Sequence, residues 1–153
     1  MASVLKCYLY ANRIAGIRLK NVFLAGLGHN LIKLTLPSKI DGAFGDGIIA
    51  ECSDNVLVYQ DGQNFALDFL PPGIEDSARV GVSSFGSNVS LTNVKLECNS
   101  IELDQEDGSF SGCPNHPASF DDGGGNVCGC DGATVARQVK SSDLASPSEL
   151  TQP

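Results

Sequence analysis

The sequence predicts a mainly β protein: a small antiparallel β-sandwich or barrel with a loop-rich, cysteine-organised C-terminal segment. Three observations predict it. Apolar residues recur with period two in short runs, the signature of half-buried strands. Turn residues separate these runs at short, regular spacing, as in a small sandwich, a barrel or a β-helical repeat. Four cysteines fall late in the chain, at Cys98, Cys113, Cys128 and Cys130, in a stretch with few large apolar residues.

Taken in order, Ile17-Arg18-Leu19-Lys20 alternates apolar and basic residues. Residues 21–28, Asn-Val-Phe-Leu-Ala-Gly-Leu-Gly, have the length of a short helix, but their two glycines oppose one. Leu31 to Leu36 alternates again and is stopped by Pro37, which cannot donate to a ladder. Asn55–Gln60, then Asp61-Gly62, then Gln63–Phe69 predicts a hairpin, because Gly takes positive φ cheaply and the turn twist matches the strands. Pro71-Pro72-Gly73 ends it. Further strands are expected at Ala78–Val82, Asn88–Leu91, Val94–Cys98 and Ile101–Leu103, with turns at Thr92-Asn93 and Asn99-Ser100. From Asp104 to Gly132 acids, Gly, Ser and Asn dominate. The expected organisation is a β domain over 1–103, a loop-rich cysteine-containing segment over 104–139, and a flexible polar tail over 140–153. Residues 133–139 suit a final strand or a helical turn.

At 153 residues and 42% hydrophobic content the chain can bury a real core in one domain with a small appendage. No apolar run approaches the 18 or so residues of a membrane helix, so no membrane span is expected. Met1 to Tyr8 lacks the pattern of a secretory signal, which makes cytosolic synthesis and reduced thiols the default. That favours metal over disulfides, and the preference reverses for a protein that leaves the cell, as a virus particle does. The net charge of −8 hides an asymmetry. Residues 1–40 hold six bases and no acid; residues 41–153 hold all 18 acids and four bases, giving +6 against −14. Either the two parts cancel within one subunit, or a basic end and an acidic end stack on neighbours. The bases are spread over several expected strands instead of one patch, which argues against nucleic-acid binding.

Cys113-Pro114-Asn115-His116 gives C-x2-H, and Cys128-Gly129-Cys130 gives C-x-C. Two close pairs joined by a loop can deliver four ligands to tetrahedral zinc at little entropic cost. With Cys98 replacing His116 the set becomes four thiolates, able to hold zinc or an iron–sulfur cluster. The alternatives are disulfides, for example Cys98 with Cys113 or Cys128, and free structural thiols. Cys7 and Cys52 stand on expected strands and read as small buried apolar residues. The acidic clusters Asp104-Gln105-Glu106-Asp107 and Asp121-Asp122 lack EF-hand spacing and read as solvated turns. Neither His29 nor His116 has a nucleophile beside it in sequence, so no hydrolytic triad and no enzyme is expected. Asn88-Val89-Ser90 is a formal glycosylation sequon, with meaning only in a secreted protein.

A small, Gly-rich, all-β chain with unusually placed cysteines and a polar tail resembles virion proteins of tailed bacteriophages. Cys113-Pro114, Phe120-Asp121-Asp122-Gly123 and Cys128-Gly129-Cys130 are similar to the cysteine-bearing C-terminal part of lambda L-type minor tail proteins. That resemblance implies a place near a tail tip and cysteines that hold an iron–sulfur cluster. Asn88 to Leu103 is also similar to the β-helical stem of a phage spike. The expected function is therefore a non-enzymatic structural subunit of a virion, in the tail or baseplate, assembled in the host cytoplasm. Its partners would be other virion proteins and copies of itself. Alternatives are a cytosolic metal- or ligand-binding module and a capsid decoration protein.

Overall fold

Inward-facing apolar residues stack on one another here in columns, not across two opposed sheets. A computed structural model describes residues 1–5, 8–13, 15–28, 30–36, 45–59, 73–108, 113, 116–130 and 139–140. Among these, all strands pair in parallel and wind into five three-stranded coils. The first coil is β1 (Ala2–Leu5), β2 (Tyr8–Tyr10) and β3 (Ala15–Lys20). The second is β4 (Ala25–Gly28), β5 (Leu31–Lys33) and β6 (Asp46–Glu51). The third is β7 (Val56–Tyr59), β8 (Gly73–Glu75) and β9 (Val80–Phe85). The fourth is β10 (Asn88–Thr92), β11 (Lys95–Glu97) and β12 (Ile101–Glu106), and the fifth is β13 (Ser119–Asp122), β14 (Val127–Gly129) and β15 (Val139–Lys140). Three sheets result, in the orders β1-β4-β7-β10-β13, β2-β5-β8-β11-β14 and β3-β6-β9-β12-β15. The architecture is a three-sided parallel β-helix.

This corrects the expected antiparallel sandwich or barrel. Period two reports which face a residue occupies and nothing about the direction of the neighbouring strand. The hairpin fails for the same reason. Both edges of β7 are taken, by β4 and β10, and both pairings are parallel. Asp61-Gly62 and residues 63–69 lie outside the described residues. Residues 25–28, weighed as part of a short helix, form β4. The C-terminal segment expected to be loop-rich carries β13 and β14, which extend two of the sheets.

The interior follows from the alternation. Sheet one contributes Ala25, Leu27, Val56, Val58, Val89 and Leu91; sheet two places Ile32, Ile74, Leu96 and Cys128 in one column; sheet three adds Ile17, Leu19, Ile48, Val82 and Leu103. Each is at most 7% exposed. A cavity among Leu27, Asn30, Ile32, Ile48, Val58 and Ile74 has about 10 Å³, room for roughly one water. Among the described residues the interior is packed side chain.

The corners repeat as well. After β2, β5, β8 and β11 the next residue is left-handed: Ala11, Leu34, Asp76 and Cys98, with φ from 52° to 57°. Their N–H groups donate to the following coil, as from Leu34 to the Glu75 carbonyl at 3.0 Å and from Cys98 to the Gly129 carbonyl at 3.0 Å. After sheet three the left-handed residues are Asn21, Cys52 and Gly86. Serines bridge the next positions: Ser53 Oγ accepts from Val22 N–H at 3.1 Å, and Ser87 Oγ accepts from Ser53 N–H at 2.9 Å. Sheets two and three meet tightly where Gly16, Gly47 and Gly81 align. A Cβ on Gly16 would lie 2.5 Å from Ile32 Cγ2, and one on Gly47 would strike Ile74 Cγ2.

In β6, β9 and β12 the outer face of sheet three also has dry positions. Ile49, Ser83 and Asp104 are all 0% exposed, and Phe85 is 2% exposed. Asp46 is buried there with its charge matched: Arg79 Nε and Nη2 donate at 2.7 and 2.5 Å, and Ser83 Oγ donates at 2.6 Å. Buried charge persists when it is paired and hydrogen-bonded in this way.

Candidate functional site

The cysteines mark the corners of the last coils. Cys98 follows β11 and Cys130 follows β14, so they occupy the same corner in adjacent coils, and they pair as a disulfide with a Cα–Cα distance of 4.7 Å. Cys113, between β12 and β13, pairs with Cys52, which follows β6, at a Cα–Cα distance of 5.6 Å. Both separations lie within the normal range for a disulfide. The pairings weighed from sequence, Cys98 with Cys113 or with Cys128, are not those formed. Cys52 is a disulfide partner instead of a small apolar filler. Cys7 lies outside the described residues.

The second disulfide needs room. Cys113 packs against Ile49 and Phe85 in a small apolar cluster outside sheet three, with Ala15 and Cys52 at its margin. Its sulfur passes over two glycines: a Cβ on Gly86 would lie 3.0 Å from Cys113 Sγ, and one on Gly108 would lie 2.8 Å from it. Any side chain there would push the sulfur away from Cys52. The spacing of glycines around a distant cysteine was the signal for this pair, and it is readable only once the coils are stacked.

The remaining expected ligands are dispersed. Cys128 points inward under Leu96 as a thiol, 2% exposed. His116 sits at the corner between sheets three and one. Its backbone pairs with Gly108, and its Nε2 is 4.0 Å from Asp54 Oδ1. Cys98 and Cys130 therefore stand at one corner and Cys113 and His116 at another, with sheet three between them. Among the described residues no group of three or more His, Cys, Asp or Glu side chains is gathered as a metal would require. His29 lies outside the described residues.

The acidic clusters have structural partners. Asp107 Oδ1 accepts from Ala118 N–H at 2.9 Å. Asp122 Oδ1 accepts from Gly124 N–H at 2.9 Å and from Asn126 Nδ2 at 2.7 Å, shaping the Gly123–Gly125 turn. On sheet two, Glu75 and Glu97 stand directly opposite each other, and lysines compensate them. Lys33 Nζ donates to Glu75 at 3.0 Å, and Lys95 bonds Glu97 and stands 3.8 Å from Glu75. The hydrogen bond to Glu75 and its negative charge raise the Lys33 pKa above the ordinary value.

Comparison with known proteins finds no family model that matches this chain, no similar curated protein and no similar solved structure. No helix among the described residues is long and apolar enough to cross a membrane.

Proposed function

We propose that this chain is a non-enzymatic structural subunit of a bacteriophage virion, in the tail or baseplate, that works by contact with other virion proteins and with copies of itself. The observation that carries this reading is the order of charge along the column. Parallel coiling sets the described bases of the acid-free stretch 1–40, Arg13, Arg18, Lys20 and Lys33, in the first coil and the start of the second. The described acids begin with Asp46 and Glu51 in the second coil and continue through the fifth. Part of the charge cancels between neighbours, as Arg18 meets Glu51 at 2.7 Å and Lys33 meets Glu75. Other charges face outward: Lys20 is exposed in the first coil, and Asp121 and Asp122 are exposed in the fifth. A polarised column suits directional stacking, because charge fixes orientation and association rate more than affinity. Two disulfides support the same reading, since disulfides persist in proteins that meet an oxidising exterior.

Size-exclusion chromatography with light scattering tests it. The full chain should assemble beyond a monomer at about 0.05 M salt and come apart near 0.5 M, where screening is complete within a few ångström. Lys20→Glu should weaken assembly; because Lys20 stands opposite Glu51 of β6, the loss is read well below the melting temperature of the variant. Arg18 is unsuitable for this purpose because it neutralises the buried Glu51. A wild-type monomer at every salt concentration, or an assembly indifferent to salt and to Lys20→Glu, counts against the proposal. A monomer carrying stoichiometric metal would favour a metal-binding module.

A further inference from the structure

We propose that the Cys98–Cys130 disulfide is a reducible clasp on the fifth coil, opened by a small thiol in solution while Cys52–Cys113 stays closed. The two bridges differ in access. Cys130 is exposed and Cys98 half-buried, at a corner that faces water. In the other bridge Cys52 is half-buried, like Cys98, and Cys113 is 3% exposed among Ile49 and Phe85, so only Cys98–Cys130 has a fully exposed sulfur-bearing residue. Thiol–disulfide exchange needs a thiolate to reach a sulfur, so access decides which bridge reacts first.

The exposed bridge also closes the coil whose described residues bury the least apolar side chain. The fourth coil turns Val89, Leu91, Val94, Leu96 and Leu103 inward, all at most 2% exposed. Among its described residues the fifth offers Ala118, a half-buried Phe120 and Cys128, and it turns through Asp122, three glycines and Asn126. A segment with so little apolar area opens at low free energy once its cross-link is gone. In the reaction, a thiolate RS⁻ attacks Cys130 Sγ and releases Cys98 as a thiolate, leaving a mixed disulfide. A second RS⁻ displaces the Cys130 thiolate. Two RSH become one RSSR, and the protein gains two electrons and two protons. Strands β13 and β14 then lift from β10 and β11, baring the Cys128 thiol and Leu96.

The test treats the full chain with graded 2-mercaptoethanol, alkylates with iodoacetamide, maps labelled cysteines by mass spectrometry, and follows amide hydrogen exchange over residues 119–129. Cys98 and Cys130 should label at reductant levels that leave Cys52 and Cys113 protected. Cys128 should label with them, and exchange over 119–129 should quicken by about tenfold or more. Labelling of Cys98 and Cys130 before any reductant is added, or labelling of Cys52 and Cys113 first or in step, overturns the proposal. So does labelling of Cys98 and Cys130 with Cys128 still protected and exchange unchanged. Cys98→Ser with Cys130→Ser should show the faster exchange without reductant; wild-type rates in that variant also overturn it.

Discussion

Glu102 shows how a single side chain in this fold can be set against its surroundings. It is half-buried in β12, and Asn99 Nδ2 donates to its Oε2 at 2.7 Å. Burial raises its pKa above the ordinary carboxylate value, Asn99 opposes the shift, and the Glu97 charge adds to it. A raised folded-state pKa means the folded chain holds the proton more tightly than the unfolded chain does. Stability from this group is therefore fully present below the unfolded value of about 4.5 and is lost as pH rises through the raised value. Glu102→Gln should raise the melting temperature at pH 7, and the gain should vanish near pH 4. Equal gains at both pH values, measured by thermal unfolding, would show that charge is not the cause. Asp46 is a second buried carboxylate: it is fully buried, and Arg79 and Ser83 fill its oxygens. Sequence alone could not separate the two carboxylates, because the partners Asn99, Arg79 and Ser83 are brought to them by coiling. It marked the late cysteines as organising residues, with metal before disulfides; Cys98, Cys113 and Cys130 are bridged and Cys128 is not, and the partners were hidden for the same reason.

At the level of elements, the glycine column between sheets two and three is the tightest join. Gly47 carries no positive φ, so Gly47→Ala meets no backbone strain; its methyl would instead strike Ile74 Cγ2 and lie 2.6 Å from the Gly81 carbonyl oxygen. Overpacking of this kind costs about 1–3 kcal/mol. Gly26 is the control, because its Cβ would meet Tyr59 Cε1 at an ordinary 3.9 Å. Gly26→Ala should be neutral or stabilising by up to about 1 kcal/mol through the unfolded chain. Denaturant unfolding of both variants checks the pair; a loss at Gly26 as large as at Gly47 would remove the packing argument. Most middle strands were legible in the sequence: Asn88–Leu91, Val94–Cys98 and Ile101–Leu103 lie on β10, β11 and β12. β6 was not, because Asp46, Glu51 and two buried faces hide its alternation. The repeat was not either. Val82 pairs with Leu103, 21 residues on, whereas Leu31 pairs with Gly73, 42 residues on. With coil lengths this uneven no fixed period exists to be read, and short parallel strands look like short antiparallel ones.

For the whole molecule, a column of coils touches mainly nearest neighbours, so its stability is close to a sum of coil and interface contributions. Strands packing only on adjacent coils couple the second coil to the fifth only through the coils between them. The Cys52–Cys113 bridge couples them directly, linking the end of β6 to the crossing before β13 over a sequence separation of 61 residues. Cys98–Cys130 joins adjacent coils over 32. In the chain-entropy account the longer loop contributes about 4 kcal/mol and the shorter one a few tenths less, so the two should look alike if unfolding were a single global event. The column geometry separates them. Cys52→Ala with Cys113→Ala should lower the global denaturation midpoint, and the exchange of β7 to β12 amides should quicken together. Cys98→Ser with Cys130→Ser should confine its effect to 119–129 and leave the β3 to β9 amides near wild-type rates. Alanine is chosen at Cys52 and Cys113 because Cys113 lies in an apolar cluster, where a serine hydroxyl would add a desolvation cost of its own. An unchanged midpoint in the Cys52/Cys113 variant would mean that the coils are already coupled through the core, and that the long bridge adds nothing to the column.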